Sequence, residues 1–194
     1  MPATGPMSMP RRLARRTPWR LAGAAERRLT LRMTHPLPPP VDSLLVMLTR
    51  SADRSVLWVA LAGAFALVGG PRGQRAAHRG LLALAITSAT VNGPMKLLAG
   101  RQRPAPRRRL RHTPRTSSFP SGHSASAFAF AVAATQELPE AGPVLLPLAA
   151  GVAYSRVYLG VHYPSDVLAG GAFGTAVGMA TRRRCETSTF TRAG

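Results

Sequence analysis

The chain is short of several things that soluble domains usually have. It has one cysteine, Cys185, one lysine, Lys96, and seven acidic residues in 194. A single cysteine excludes an internal disulfide framework and any zinc site built from several thiolates. No pair or cluster of carboxylates occurs that would hold Mg²⁺, so no metal or other cofactor is expected. Aromatic residues are only 6% of the chain, too sparse for the stacking platforms that accompany basic grooves in nucleic-acid binding. No stretch alternates apolar and polar residues in the manner of a strand, and no internal repeat is present.

What the chain has is arginine and apolar residues. Lys and Arg number 26 against seven acids, a formal charge of +19, and all but one of the 26 are Arg. Such a charge demands an anionic partner: nucleic acid, an anionic membrane surface or a phosphorylated substrate. The hydrophobic share of 45% rules out a wholly disordered basic chain. The two populations separate along the sequence. Residues 1–40 hold Arg11, Arg12, Arg15, Arg16, Arg20, Arg27, Arg28 and Arg32 and end in Pro36, Pro38, Pro39 and Pro40. This reads as a flexible or surface-lying basic arm, and it lacks the uninterrupted apolar stretch of a cleavable signal peptide. Residues 42–53 read as a short amphipathic helix, too short to cross a bilayer.

Five apolar stretches follow, at 55–71, 80–95, 116–136, 141–163 and 167–181. Each is at or slightly under the ~20 residues that a span needs. No acid occurs between Asp53 and Glu137, and residues 57–68 have no polar face, which a soluble surface helix requires. The expected architecture is therefore all-α: an integral-membrane bundle of about five spans plus a short interfacial helix at 42–53. Its domains are the arm 1–40, a membrane domain 41–182 and a short tail 183–194. Arg72, Arg75 and Arg79 read as a loop that shares one side with Arg182, Arg183 and Arg184, as the positive-inside rule wants. Trp19 and Trp58 read as interfacial anchors, and His35, His78 and His112 as solvated loop residues.

Polar residues beside apolar helices are functional candidates, and they gather in three places. Lys96 closes the second apolar stretch, with Arg103-Pro104 in the adjoining loop. Pro120-Ser121-Gly122-His123 opens the third helix, where free N–H groups and the positive dipole end make an anion site; Gly122 permits close approach and His123 is placed to donate a proton. Arg156, His162 and Asp166 bracket the turn between the last two stretches, at a spacing that allows Asp166 to orient the His162 ring. Alternating span directions bring all three groups to one face of the membrane. Three cations there can neutralise a phosphate in its transition state, while one histidine attacks phosphorus and the other protonates the leaving alkoxide.

Lys96-x6-Arg103-Pro104, Pro120-Ser121-Gly122-His123 and Ser155-Arg156-x5-His162-x3-Asp166 resemble, in order, spacing and identity, the three signature motifs of the type 2 phosphatidic acid phosphatase (PAP2) superfamily. The resemblance implies a membrane helical bundle in the cell membrane with its active site toward the extracytoplasmic side. It implies that His162 is the nucleophile that forms a phosphohistidine, oriented by Asp166, and that His123 is the general acid. Lys96, Arg103, Ser121, Gly122 and Arg156 would hold the phosphate. The implied reaction is metal-independent hydrolysis of phosphatidic acid or a related lipid phosphate, with membrane lipids as the surroundings and no nucleic acid as partner. The alternatives are an undecaprenyl (polyprenyl) diphosphatase, for which the same motifs serve, a vanadate-dependent haloperoxidase, against which the span count argues, and a non-enzymatic Arg-rich binding protein.

Overall fold

The computed structural model describes residues 23–104 and 116–190. Among them there are only helices: α1 Gly23–Met33, α2 Pro39–Ser51, α3 Val56–Val68, α4 Gly70–Thr90, α5 Lys96–Ala99, α6 Gly122–Thr135, α7 Gly142–Tyr158 and α8 Pro164–Phe190. The all-α expectation therefore holds for these residues. Helix α6 is the axis of the bundle and packs against α4, α7 and α8. Ala125, Ala127, Ala129, Phe130, Ala131, Ala133 and Ala134 are all at 0% exposure. A helix apolar all round belongs in the centre, and α6 is that helix.

Small residues set how close its neighbours come. A Cβ on Gly170, Gly174 or Gly178 of α8 would stand 2.4, 2.1 and 2.9 Å from the carbonyl oxygens of Ser121, Ala125 and Ala129. This four-residue stripe lets the α8 backbone lie directly on α6, the close approach that small residues allow between apolar helices. The start of α8, with Asp166, is thereby held beside the start of α6, with His123.

Two breaks shape the site end. Pro94 has no N–H for the carbonyl four residues back and crowds it, so the α4 ladder widens into a π turn over Val91–Met95 before α5 resumes. Gly100, at φ 57, ends that helix. The second break is the corner between α2 and α3, a 65° bend through the single 3₁₀ turn Asp53–Ser55. Helix α2 lies across the end of α7, with Leu45 against Tyr158 and Leu159 and Asp42 accepting from Tyr158 Oη at 2.8 Å.

Several expectations are corrected. About five spans were expected, but among the described residues only Gly70–Ala99, 30 residues, is by itself long and apolar enough to cross a membrane. The bent pair Pro39–Ser51 with Asp53–Val68 meets the same test only when taken together. The reason is partly length: α6 has 14 residues, about 21 Å against a ~30 Å hydrocarbon core. The expected loop at Arg72–Arg79 is the first part of α4. Its charges have partners, Arg72 on Glu140 at 3.3 Å and Arg75 and Arg79 on Glu137 at 2.8 and 2.7 Å. His78 consequently lies on a helix, exposed, while His35 is in a turn, also exposed. Trp58 is a core residue at 1% exposure, its ring tilted against Phe130 at 5.5 Å, rather than an interfacial anchor. The flexible arm expected over 1–40 does not extend to α1, whose Glu26 is tied into the site end. The tail expected from 183 continues the α8 backbone to Phe190. Trp19, His112 and the first 22 residues lie outside the described residues.

The glycine stripe yields a direct contrast. Gly174→Ala puts a methyl group 2.1 Å from a backbone oxygen and should cost about 1–3 kcal/mol or more. Gly63→Ala on α3, where nothing lies within 4 Å, should be neutral or stabilising by up to about 1 kcal/mol. Thermal unfolding midpoints in detergent check both.

Candidate active site

The site is built at the end of the bundle where α4–α5, α6, α7 and α8 begin or finish. Helix α6 starts cleanly because Ser121, in extended conformation, caps it. Its Oγ accepts from the Ser124 amide at 3.4 Å and from Ser124 Oγ at 2.9 Å. Ser121 is at 0% exposure, and its hydroxyl is engaged at the helix start in this structure. At Gly122 a Cβ would stand 2.8 Å from Asn92 Oδ1 and 3.5 Å from Lys96 Nζ, so a side chain there would crowd the lysine's seat. Asn92 accepts from Lys96 Nζ at 2.6 Å, one turn apart across the π turn, and so aims the lysine at the start of α6.

Arg103 reaches from the loop after α5 to the turn between α7 and α8. Its Nη1 donates to the Val161 carbonyl at 3.0 Å and lies 3.1 Å from His162 Nε2, and its Nε and Nη2 donate to the Thr116 and Ser117 carbonyls. A guanidinium has no lone pair to offer, so Nε2 is the acceptor and the ring proton belongs on Nδ1. Nδ1 faces Asp166 Oδ2 at 3.6 Å. The orienting hydrogen bond expected from the spacing is thus aligned in pairing but too long to count as formed, as is common before substrate binds. His162 is 2% exposed. Burial pushes its pKa down to about 4; the neighbouring Asp166 carboxylate pulls upward against it, and the Arg156 and Arg103 charges push down with the burial.

Asp166 has no exposure to water and is fully engaged. Oδ2 accepts from the Tyr163 amide at 2.9 Å, the third helical residue capping the first free N–H of its own helix. Oδ1 accepts from Arg101 Nη1 at 2.6 Å. Arg101, itself 8% exposed, stacks on the Tyr163 ring at 4.3 Å and holds Glu26 of α1 at 2.6 Å through Nη2. Glu26 in turn accepts from the Ser165 amide and hydroxyl.

Arg156 is 3% exposed. Its Nη1 donates to Thr49 Oγ1 on α2 at 2.7 Å, and its Nε is buried with no hydrogen-bond partner among the described residues. His123 Nε2 lies 2.9 Å from Asp53 Oδ1 at the α2–α3 corner. Lys96, Arg103 and Arg156 lie close enough to repel one another. Three mutually repelling cations, one with an orphaned buried N–H, are what an anion site needs before its anion arrives.

The structure thus brings Lys96 to Gly122, and Arg103, His162 and Asp166 to one another, and places Arg156 and His123 against α2 and the corner after it. Sequence reasoning missed Arg101, Glu26, Thr49, Asp53 and Asn92. Rarity was the available signal for two of them, since Glu26 and Asp53 are among only seven acids.

Two outcomes follow from these contacts. In ¹⁵N-histidine NMR of the detergent-solubilised protein, the His162 ring should titrate well below the usual 6.5, near the value of about 4 that burial gives it; a midpoint at or above 6.5 contradicts the buried, arginine-flanked setting. Arg101→Met strands two carboxylates that have lost their shared partner, and should cost about 3–5 kcal/mol in unfolding free energy. Glu26→Gln, which leaves Asp166 paired, should cost less.

Comparison with known proteins shows which family has this sequence and fold. The family model for the PAP2 superfamily matches residues 77–189. The decaprenylphosphoryl-5-phosphoribose phosphatase of Mycolicibacterium smegmatis is 39% identical over 137 residues, 63% of this chain and 67% of that one. The lipid A 1-phosphatase of Rhizobium etli is 46% identical over 57 residues, 29% of this chain and only 25% of that protein. The crystal structure of the PAP2 type phosphatidylglycerolphosphate phosphatase from Bacillus subtilis superposes with a TM-score of 0.68 at 23% identity, covering 90% of each chain, and so shares the fold. The chain belongs to the PAP2 superfamily, whose members are phosphatases that hydrolyse phosphate esters.

Proposed function

We propose that this protein is a multi-pass membrane phosphatase that removes the phosphomonoester of a lipid-borne phosphate through a phosphohistidine on His162, without a metal. The observation that carries the reading is the pairing of His162. Arg103 occupies the lone pair on Nε2, and Asp166 stands behind Nδ1. This is the tautomer in which Nε2 attacks phosphorus. Arg103, Arg156 and Lys96 receive the phosphate oxygens, and the arginine that covers Nε2 in the free protein turns to the substrate when it enters. The charge spread over the transferring phosphoryl group is then met by fixed cations, which is the main demand of this chemistry. Gly122 keeps the N–H groups at the start of α6 open to the same anion. His123 supplies the proton to the departing alkoxide.

Membrane residence is supported by the apolar surface of the bundle, where Leu67, Val68, Leu97, Leu98 and Leu168 are more than 70% exposed, apolar area that water would penalise. The site lies at the end of the bundle that carries α1, and the Arg–Glu clasp of α4 lies at the other. The active site is taken to open to the extracytoplasmic side, as the three-motif resemblance implies. For the substrate we take phosphatidic acid or a related lipid phosphate, whose phosphomonoester suits the three cations. The Mycolicibacterium relative, named for a prenyl-linked sugar phosphate, supports a second reading: a phosphomonoester on a polyprenyl carrier.

Phosphate release in detergent with EDTA present, from phosphatidic acid, a polyprenyl-phosphoryl sugar phosphate and undecaprenyl diphosphate, separates the substrates. Release from at least one of the first two is expected to survive EDTA. His162→Ala and His123→Ala should each lower that release by at least about 10²-fold, while membrane insertion is retained. Turnover that is unchanged in either variant, or abolished by EDTA, contradicts the reading.

A further inference from the structure

The corner between α2 and α3 delivers two side chains to the site that belong to none of the three motifs. Thr49 Oγ1 accepts from Arg156, and one turn later Asp53 Oδ1 meets His123 Nε2 at 2.9 Å. The backbone that follows is unusual. Arg54 and Ser55 sit at φ 52 and 64, a left-handed conformation that neither residue type favours and that persists only where the surroundings impose it. Two consecutive such residues turn the chain from α2 into α3 and fix where Asp53 points.

The chemistry of the pair is definite. An ionised carboxylate only accepts, so the nitrogen facing it carries a hydrogen and Nε2–H donates to Asp53. Burial weighs most against a positive charge on the His123 ring, Arg156 and Lys96 add to it, and Asp53 is the group that acts in its favour. With Nε2–H committed to Asp53, Nδ1 is the ring's other proton site.

We infer that Asp53 is the positioning carboxylate of the general acid, holding His123 as an imidazolium with Nε2–H toward the corner and Nδ1–H toward the leaving oxygen. This rests on the reading of His162 as nucleophile and His123 as acid. His162 Nε2 bonds to phosphorus as the bond from phosphorus to the lipid oxygen breaks. The electron pair of that bond goes to the oxygen, which takes the Nδ1 proton, and His123 is left neutral with Nε2–H still on Asp53. A water molecule then attacks phosphorus and returns a proton to His123, and the phosphorus–nitrogen bond breaks to restore His162 and release phosphate. Each histidine thus has its own aspartate: Asp166 behind the nucleophile, Asp53 behind the acid.

The test is leaving-group dependence, because p-nitrophenolate departs without a proton and an alkoxide does not. kcat/KM is measured for an alkyl phosphate and for p-nitrophenyl phosphate with the purified full chain in detergent. Asp53→Asn should lower the alkyl value at least about tenfold more than the p-nitrophenyl value, in the same pattern as His123→Ala. Asp53→Glu keeps the charge and should hold the ratio of the two values within about threefold of the native ratio; it carries the test if the Asn variant does not fold. Equal losses on both esters in Asp53→Asn, no loss on the alkyl ester, or a ratio in Asp53→Glu that shifts as far as in His123→Ala overturns the inference. His162→Ala in the same assay should lose both activities; if it keeps them, the phosphohistidine reading fails, and that failure is distinct from the failure of Asp53.

Discussion

A carboxylate with no contact with water must be neutralised and hydrogen-bonded from within the protein, and Asp166 imposes that requirement on everything around it. Its two oxygens are met by Arg101 and by the Tyr163 amide, and its carbonyl accepts from the Ser121 amide at 2.9 Å. The first of these contacts calls for a buried guanidinium, and that guanidinium calls for a second acid. Glu26 is the second acid, so α1 is recruited to the bundle from a stretch that is otherwise basic and proline-bounded. The last contact ties the start of α8 to the start of α6. One buried charge therefore connects the N-terminal helix, the loop after α5, the α6 N-terminus and the turn that carries His162.

Packing and charge then divide the work between the two ends of the molecule. Glycines at every fourth position of α8 let it lie on α6, which fixes how far the His123 end stands from the Asp166 end. At the far end Glu137 and Glu140 hold the arginines at the start of α4. At the site end Lys96, Arg103 and Arg156 are left facing one another without an equal number of acids. Of the +19 that opens the sequence, these three charges are the ones that a phosphate would balance.

Much of this was legible from the chain. The motif spacings mark the residues that ring the site, because each motif straddles a helix end and helix ends are written in local signals, such as Pro120 and Ser121 before α6 and Pro164 at the first position of α8. What local signals do not carry is pairing across the chain. Glu26 meets Ser165 and Asp53 meets His123 over separations of 139 and 70 residues, and nothing near either acid announces its partner. The same gap explains Trp58, whose aromatic ring looked interfacial until α3 was seen to pack on α6 at Phe130. Ser121 shows the reverse case. Its motif position was plain, but that its hydroxyl also caps its own helix depends on rotamer and burial. Span length was misjudged for a simpler reason, since an apolar stretch includes turn residues that the helix itself leaves out.

The central claim is that His162 carries the phosphoryl group. The most direct measurement is to quench the reaction with a ³²P-labelled lipid phosphate within milliseconds of mixing and to locate the label by peptide mapping. The account predicts an acid-labile, base-stable label on the peptide containing His162, absent from the His162→Ala variant. A label on any other residue, or a pre-steady-state burst of free alcohol with no covalent label at all, would contradict it.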